Sequence, residues 1–196
     1  MKIGVLASQG AFAEHIAILK RLGVEAVPVR LPEDMEGIDG LIIPGGESTT
    51  ISKLMLAYKL SDEIRALAKK GIPIWGTCAG MIMLADKLPG STVEPLGLMK
   101  IGVRRNAFGR QKESFETELS IPALGEKPFP AVFIRAPAIE ESKGDVQVLA
   151  RLNDGTIVAA RQGKLLASAF HPELTDDTRF HQYFLDMVAE KKNNKK

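Results

Sequence analysis

The chain holds a single cysteine, Cys78, in the stretch PIWGTCAGM (73–81). Small residues flank it in GTCAG, after an apolar run and before a segment that suits a helix. This composition allows a sharp strand-to-helix turn that presents the side chain, the mechanics of a serine nucleophile elbow. A thiol placed there sits at a helix N-terminus, where unpaired N–H groups and the helix dipole favour the nucleophilic thiolate. The blander alternative is a structural cysteine, since free cysteine is among the most often buried residue types. SAFHPEL (168–174) offers partners. In an extended chain residues two apart point the same way, so His171 and Glu173 share a side. Pro172 biases His171 away from helical geometry and fixes its own φ. Thiol, imidazole and carboxylate then supply a nucleophile, a base and an orienter of the base. A lone strand-end histidine can equally be a structural residue satisfied by backbone, and it is the pairing with Cys78 that favours catalysis.

IIPGGESTT (42–50) is the third element. Its glycines let backbone approach a substrate, and Ser48 or Thr49 can cap the helix that follows. A backbone N–H from this loop, with the one after Cys78, could form an oxyanion hole. A glycine pair followed by Ser and Thr could also cradle a phosphate, but the Lys of a GxxxxGK[ST] pattern is missing.

The elements that must position these residues are legible upstream. Apolar runs with little alternation, KIGVLAS (2–8), VEAVPVR (24–30), DGLIIPG (39–45) and PIWGTC (73–78), suit strands covered on both faces. Helical patterns lie between several of them: AFAEHIAILKRLG, with Phe12, Ile16 and Leu19 on one face and Gly23 as cap, and SDEIRALAKKG, with Ser61 as N-cap and Gly71 past the end. This alternation predicts an α/β fold: a doubly wound, mostly parallel sheet flanked by helices. ASQG, PGGEST and GTCAG all end up at the carboxyl ends of strands, where such sheets gather ligands. From about residue 91 the texture shifts to loops and antiparallel strands, with a hairpin over 156–170 turning at Gln162 and Gly163. A last amphipathic helix carries Phe180, Phe184 and Met187 on one side.

At 196 residues and 45% hydrophobic, one core is expected, hence a single domain over 1–196 with a solvated basic tail at about 190–196. A formal charge of +2 calls for no nucleic acid. The scattered histidines, His15, His171 and His181, make no zinc motif, so no metal or cofactor is expected. The N-terminus is too weakly charged and too briefly apolar for a signal peptide, and no run is long enough to cross a membrane. The expectation is a cytoplasmic protein with a reduced thiol.

GLIIPGGEST (40–49), GTCAG (76–80), RRNAFGRQ (104–111), FIRAP (133–137) and FHPEL (170–174) together resemble the glutaminase subunits of pyridoxal 5'-phosphate synthases, within the class I (triad) glutamine amidotransferases. The likeness runs from the first strand to the last helix and implies a flavodoxin-like sheet with an antiparallel extension in the C-terminal half. It implies that Cys78 attacks the carboxamide of L-glutamine, that His171 moves the proton and that Glu173 orients His171. It assigns the oxyanion hole to the N–H groups of Gly46 and Ala79. Glutamine itself is assigned to Gly46, Glu47, Ser48, Arg105, Ile134 and Arg135, and an arginine suits the substrate carboxylate. The implied partner is a dodecameric synthase core docking one glutaminase per protomer. ASQGAFAEH lies at the same sheet end as Cys78, so Gln9, Gly10 and Glu14 of the following helix are expected at that interface. Ser8 stands where the family pattern has an apolar residue. The alternatives are the glutaminase half of another amidotransferase, such as that of histidine biosynthesis, a different cysteine hydrolase or stress protein on a flavodoxin-like sheet, and a binding module with a structural Cys78.

Overall fold

In the computed structural model, which describes residues 1–109 and 113–193, each N-terminal apolar run is a strand slightly shorter than predicted. Arg110, Gln111 and residues 194–196 of the tail lie outside the described residues. Strands β1 (Lys2–Leu6), β2 (Glu25–Val29), β3 (Gly40–Ile43) and β4 (Ile74–Thr77) are joined through helices α1 (Phe12–Arg21), α2 (Ser48–Ala57) and α3 (Leu60–Lys69). They pair in parallel in the order β2-β1-β3-β4. β2 is the edge, which is why it tolerates Pro28, a residue with no N–H to donate to a ladder. Helix α4 (Ala79–Leu84) starts directly after Cys78.

The C-terminal half supplies β5 (Ala85–Lys87), β6 (Met99–Arg104), β7 (Ser114–Leu119), β8 (Phe129–Ile134), β9 (Ala138–Ser142), β10 (Gln147–Arg151), β11 (Ile157–Gln162) and β12 (Leu165–Ser168), then α5 (Arg179–Asn193). β12 comes back to the centre and pairs in parallel with β4, with Ser168 opposite Thr77. It fills the fifth parallel position of a flavodoxin-like order. β11, β9 and β6 continue the sheet antiparallel beyond it, and β7 and β8 form a separate antiparallel ribbon. The antiparallel extension is therefore where the sequence predicted it.

The two sheet faces are told apart by β4, because side chains alternate along a strand. Trp75 is fully buried against Phe180 and Phe184 of α5 at ring distances of 5.3 and 5.6 Å, and against His15 of α1 at 5.4 Å. Gly76 faces the other way, where an added Cβ would meet the backbone of Gly80 in α4. One face thus carries α1 and α5, the other α4. Phe180, Phe184 and Met187 are buried on one side of α5 as the periodicity predicted.

Two local expectations change. Ser61 does not cap α3: the helix begins at Leu60 after Lys59, whose left-handed backbone (φ 57°) makes the corner, and Ser61 is buried in the first turn. Packing of Leu60 into the core sets the start earlier than capping chemistry would. The β11–β12 hairpin turns at Gly163 and Lys164, because Gln162 still pairs with Leu165 and Gly163 takes the positive φ (57°).

Candidate active site

Cys78 lies between β4 and α4 with φ 48° and ψ −104°, a strained backbone for a residue with a side chain. Its N–H donates to the Ser168 carbonyl at 2.7 Å, so the elbow is tied to the end of β12. The same strand end carries the chain through Ala169 and Phe170 to His171, whose N–H donates to the Val132 carbonyl of β8 at 2.8 Å. Adjacent parallel strands therefore deliver the thiol and the imidazole to one place.

Glu173 arrives differently from the sequence expectation. Pro172–Leu174 is a single 3-10 turn with Pro172 at its first position, not an extended segment. His171 itself is non-helical before the proline, with φ −107° and ψ 83°, short of a fully extended backbone. The turn brings Glu173 Oε1 to 2.6 Å from His171 Nδ1, the length of a charge-assisted bond. With Nδ1 occupied, Nε2 is the nitrogen left for the thiol. Cys78, His171 and Glu173 are only 7%, 7% and 5% exposed, so the couple works in a desolvated setting. Burial alone pulls the His171 pKa down, but hydrogen bonds to Cys78 and Glu173, with their charges, outweigh it and raise the pKa to about 10. The imidazolium form of His171 is thereby favoured at neutral pH.

A cavity of about 350 Å³ opens on these atoms. Gly46, Glu47, Ser48, Arg105, Ile134 and Arg135 line it together with Cys78, Ala79 and His171, so all the predicted glutamine-binding residues share one site. Arg105 Nη2 is 3.6 Å from Glu47 Oε1, and its Nη1 donates to Ser91 Oγ at 3.4 Å. Glu47, rather than Ser48 or Thr49, caps α2: its carboxylate accepts from the N–H groups of Thr49 and Thr50 at 3.0 and 2.7 Å. Its hydrogen bond from the Thr50 hydroxyl, then those from backbone N–H groups, lowers its pKa to about 2. Ser48 is buried as the first helical residue, which leaves the capping position to the residue before it.

Ala79 is the first residue of α4, so its N–H has no intrahelical partner and borders the cavity. On the opposite wall the Gly45 carbonyl accepts from Ala11 at 3.1 Å, which turns the Gly46 N–H of the same trans peptide away from Ala11. Gly45 matters sterically: a Cβ there would stand 2.5 Å from His171 Cε1 and 3.2 Å from Cys78 Cβ.

Gln9, Ile82 and Asn106 also line the cavity, beyond the residues that the sequence assigns to substrate. Gln9, assigned to a partner interface, has its Oε1 2.8 Å from the Glu47 N–H. Gly10 packs on the Gly45 carbonyl, and Glu14 is exposed on α1. Asn106 carries a signal of its own, since it lies inside RRNAFGRQ and takes a positive φ (46°), a conformation asparagine tolerates. His15 and His181 are scattered in sequence but not in space: they gather behind Glu173, with His15 Nε2 3.3 Å from Glu173 Oε2 and His15 Nδ1 2.9 Å from His181 Nε2. Among the described residues, no group of three or more His, Cys, Asp or Glu is arranged to hold a metal. Ser8 leaves a buried hydroxyl without a hydrogen bond, a local cost at the position where an apolar residue would fit.

The model of the SNO glutamine amidotransferase family matches residues 5–190. The chain belongs to that family. Among relatives of this glutamine amidotransferase is the "Pyridoxal 5'-phosphate synthase subunit PdxT" of Dehalococcoides mccartyi strain CBDB1, 61% identical over 190 residues covering 96% of this chain and 97% of that one. The protein of the same name from Herpetosiphon aurantiacus is 60% identical over 190 residues, with 95% and 100% covered. A solved structure described as a glutamine amidotransferase superposes with a TM-score of 0.90 at 51% identity, covering 95% of this chain and 98% of that chain. The structure of PurLQS from Thermotoga maritima shares the fold at a TM-score of 0.69 and 18% identity, covering 95% of this amidotransferase and 98% of that chain.

Proposed function

We propose that Cys78, His171 and Glu173 carry out the glutaminase reaction of this chain. The chain is a glutaminase, the subunit of a pyridoxal 5'-phosphate synthase that takes ammonia from L-glutamine. The Cys78 thiolate attacks the carboxamide carbon, and the C–O π pair moves onto oxygen, where the Gly46 and Ala79 N–H groups receive it. Collapse breaks the C–N bond as the His171 imidazolium gives its proton to the departing nitrogen, leaving a glutamyl thioester and ammonia. His171, now neutral, takes a proton from water, whose oxygen attacks the thioester. Glutamate leaves and Cys78 is restored. Arg105 pairs with the substrate carboxylate while the Glu47 and Arg135 walls confine its amino acid end. The observation that carries this assignment is the 2.6 Å His171–Glu173 bond beside a buried thiol at the floor of a cavity large enough for one amino acid.

The chain works with a synthase subunit that uses the ammonia. We read that partner as a dodecameric core taking one glutaminase per protomer, with Gln9, Gly10 and Glu14 at the contact. Gln9 lines the cavity and accepts from the Glu47 N–H, and Glu14 is exposed on the helix that follows, which supports this reading. One continuous hydrophobic cluster runs through the described residues, which supports a single domain over 1–196. No helix among the described residues is long and apolar enough to cross a membrane, in keeping with a cytoplasmic site of action. The test is glutamate release from glutamine by the chain alone, with the synthase subunit, and as Cys78→Ala. Partner-dependent activity that vanishes in the variant is expected. Full activity of Cys78→Ala would sink the triad assignment, and equal activity without the partner would sink the docking model.

A further inference from the structure

Glu173 uses one carboxylate oxygen on His171, and the other points into the protein. That second oxygen, Oε2, is buried and makes no aligned hydrogen bond, but it stands 3.3 Å from Nε2 of the fully buried His15. His15 Nδ1 is in turn 2.9 Å from Nε2 of His181, also fully buried. α1 and α5 thus each send an imidazole to the back of the triad, and the proposed chemistry uses neither.

Where the protons lie follows from counting donors and acceptors. Burial, with the neighbouring imidazoles, holds His15 well below the ordinary range, and burial takes His181 down to about 3, so both are neutral at pH 7. Two neutral patterns satisfy the 2.9 Å contact. If His15 donates through Nδ1, its Nε2 lone pair faces the Glu173 carboxylate. His181 must then carry its proton on Nδ1, a buried atom with no hydrogen-bond partner. If His181 donates through Nε2, His15 carries its proton on Nε2, aimed at Glu173 Oε2, and the unmatched atom is a bare acceptor on His181. The second pattern avoids both a lone pair against a carboxylate and a buried unpaired donor, so it is the stable one. Thr77 Oγ1 is also within hydrogen-bond reach of His15 Nε2, at 3.4 Å, and its hydroxyl can accept the same proton, so the choice of tautomer rests on the Glu173 carboxylate and the buried His181 Nδ1.

We propose that His15 and His181 are positioning residues of the triad: His181 fixes the tautomer of His15, and His15 donates to the second oxygen of Glu173, keeping that carboxylate aligned on His171. A carboxylate held at one oxygen can rotate about its terminal bond, whereas one held at both oxygens by rings from a helix and a strand end cannot. This rests on the triad assignment above.

The test has two arms. In the unmodified protein, long-range 1H–15N spectra at pH 7 read the tautomers, and His15 is expected with Nε2 protonated and Nδ1 bare. Observation of the Nδ1-protonated form would overturn the proposal whatever the variants do. In the second arm, kcat and KM for glutamate release are measured with the synthase subunit. His15→Leu is expected to lower kcat ~10- to 100-fold, the loss of one hydrogen bond to a charged group, with KM within about twofold. His15→Gln, which keeps an N–H donor, is expected to recover most of that loss, and His181→Leu to lower kcat by several-fold through tautomer release. Equal loss in the Leu and Gln variants, or kcat unchanged in a folded His15→Leu, would refute donation. Failure of the triad assignment is distinguishable, since it would appear as activity surviving Cys78→Ala.

Discussion

Replacing Gly45 by alanine adds one methyl group at the point where the glycine loop faces the triad. Gly45 is outside the set of residues with positive φ, so alanine is allowed on the backbone and the perturbation is purely steric. The new Cβ would lie 2.5 Å from His171 Cε1 and 3.1 Å from Nδ1, where ordinary contact begins at 3.4 Å. The ring must retreat by about 0.9 Å to reach ordinary separation. His171 cannot follow as a unit, since its N–H is bonded to Val132 at 2.8 Å and Pro172 fixes the next residue. The retreat therefore rotates the ring away from either Cys78 or the 2.6 Å bond to Glu173. Losing a hydrogen bond to a charged group costs about 1.5–3 kcal/mol, or roughly 10- to 150-fold in rate. Steady-state glutamate release with the synthase subunit should show kcat down ~100-fold. KM should stay within about threefold, because the new Cβ meets His171 and Cys78 and leaves the Arg105 and Glu47 side chains that line the cavity untouched. A Gly45→Ala protein that melts normally and keeps more than about a third of the kcat would refute the claim that this contact sets the ring position.

Glu47→Ala removes the acceptor of two backbone N–H groups at the start of α2 and should cost about 1 kcal/mol, read as a lower Tm. Because the Glu47 pKa is depressed to about 2, this contribution is present above the ordinary value of 4.5 and fades as pH falls toward 2, so the gap between variant and parent should close in acid. The three histidines should be silent in an NMR titration from about pH 5 to 8, with His171 charged and His15 and His181 neutral. His171, raised to about 10, contributes stability that is complete below 6.5 and lost as pH rises through 10. His15 and His181, both lowered, contribute stability that is complete above 6.5 and lost below it. A midpoint near 6.5 for any of the three would contradict their burial and pairing.

Motifs with local mechanics are the legible part of this sequence. GTCAG announces a turn because small residues are needed there, and PGGEST announces a close backbone approach. The first strands show themselves through uninterrupted apolar runs, which a doubly covered sheet requires. What stays hidden depends on tertiary geometry. Nothing local in AEHIAI or TRFHQY marks His15 and His181 as neighbours, since only the packing of α1 and α5 on the Trp75 face brings them together. The contact of His171 with Glu173 is legible in outcome but not in route, because a proline can start a 3-10 turn as readily as it can extend a strand. Glu47 as the cap of α2 is hidden for a related reason: one residue of register decides which of several competent side chains reaches the free N–H groups.

The place of β12 has a consequence for how the protein is made. β4 is an apolar, fully buried strand, and its second edge is covered only by β12, residues Leu165–Ser168. On the ribosome that edge stays open while everything from Cys78 to Lys164 is synthesised, a sticky template for wrong partners and a long-range closure that slows folding. The same event delivers the Ser168 carbonyl that anchors the elbow, and the three residues after it deliver His171. A growing or truncated chain therefore carries its thiol without a base, and ammonia release begins only once the last strand has slotted into the middle of the sheet.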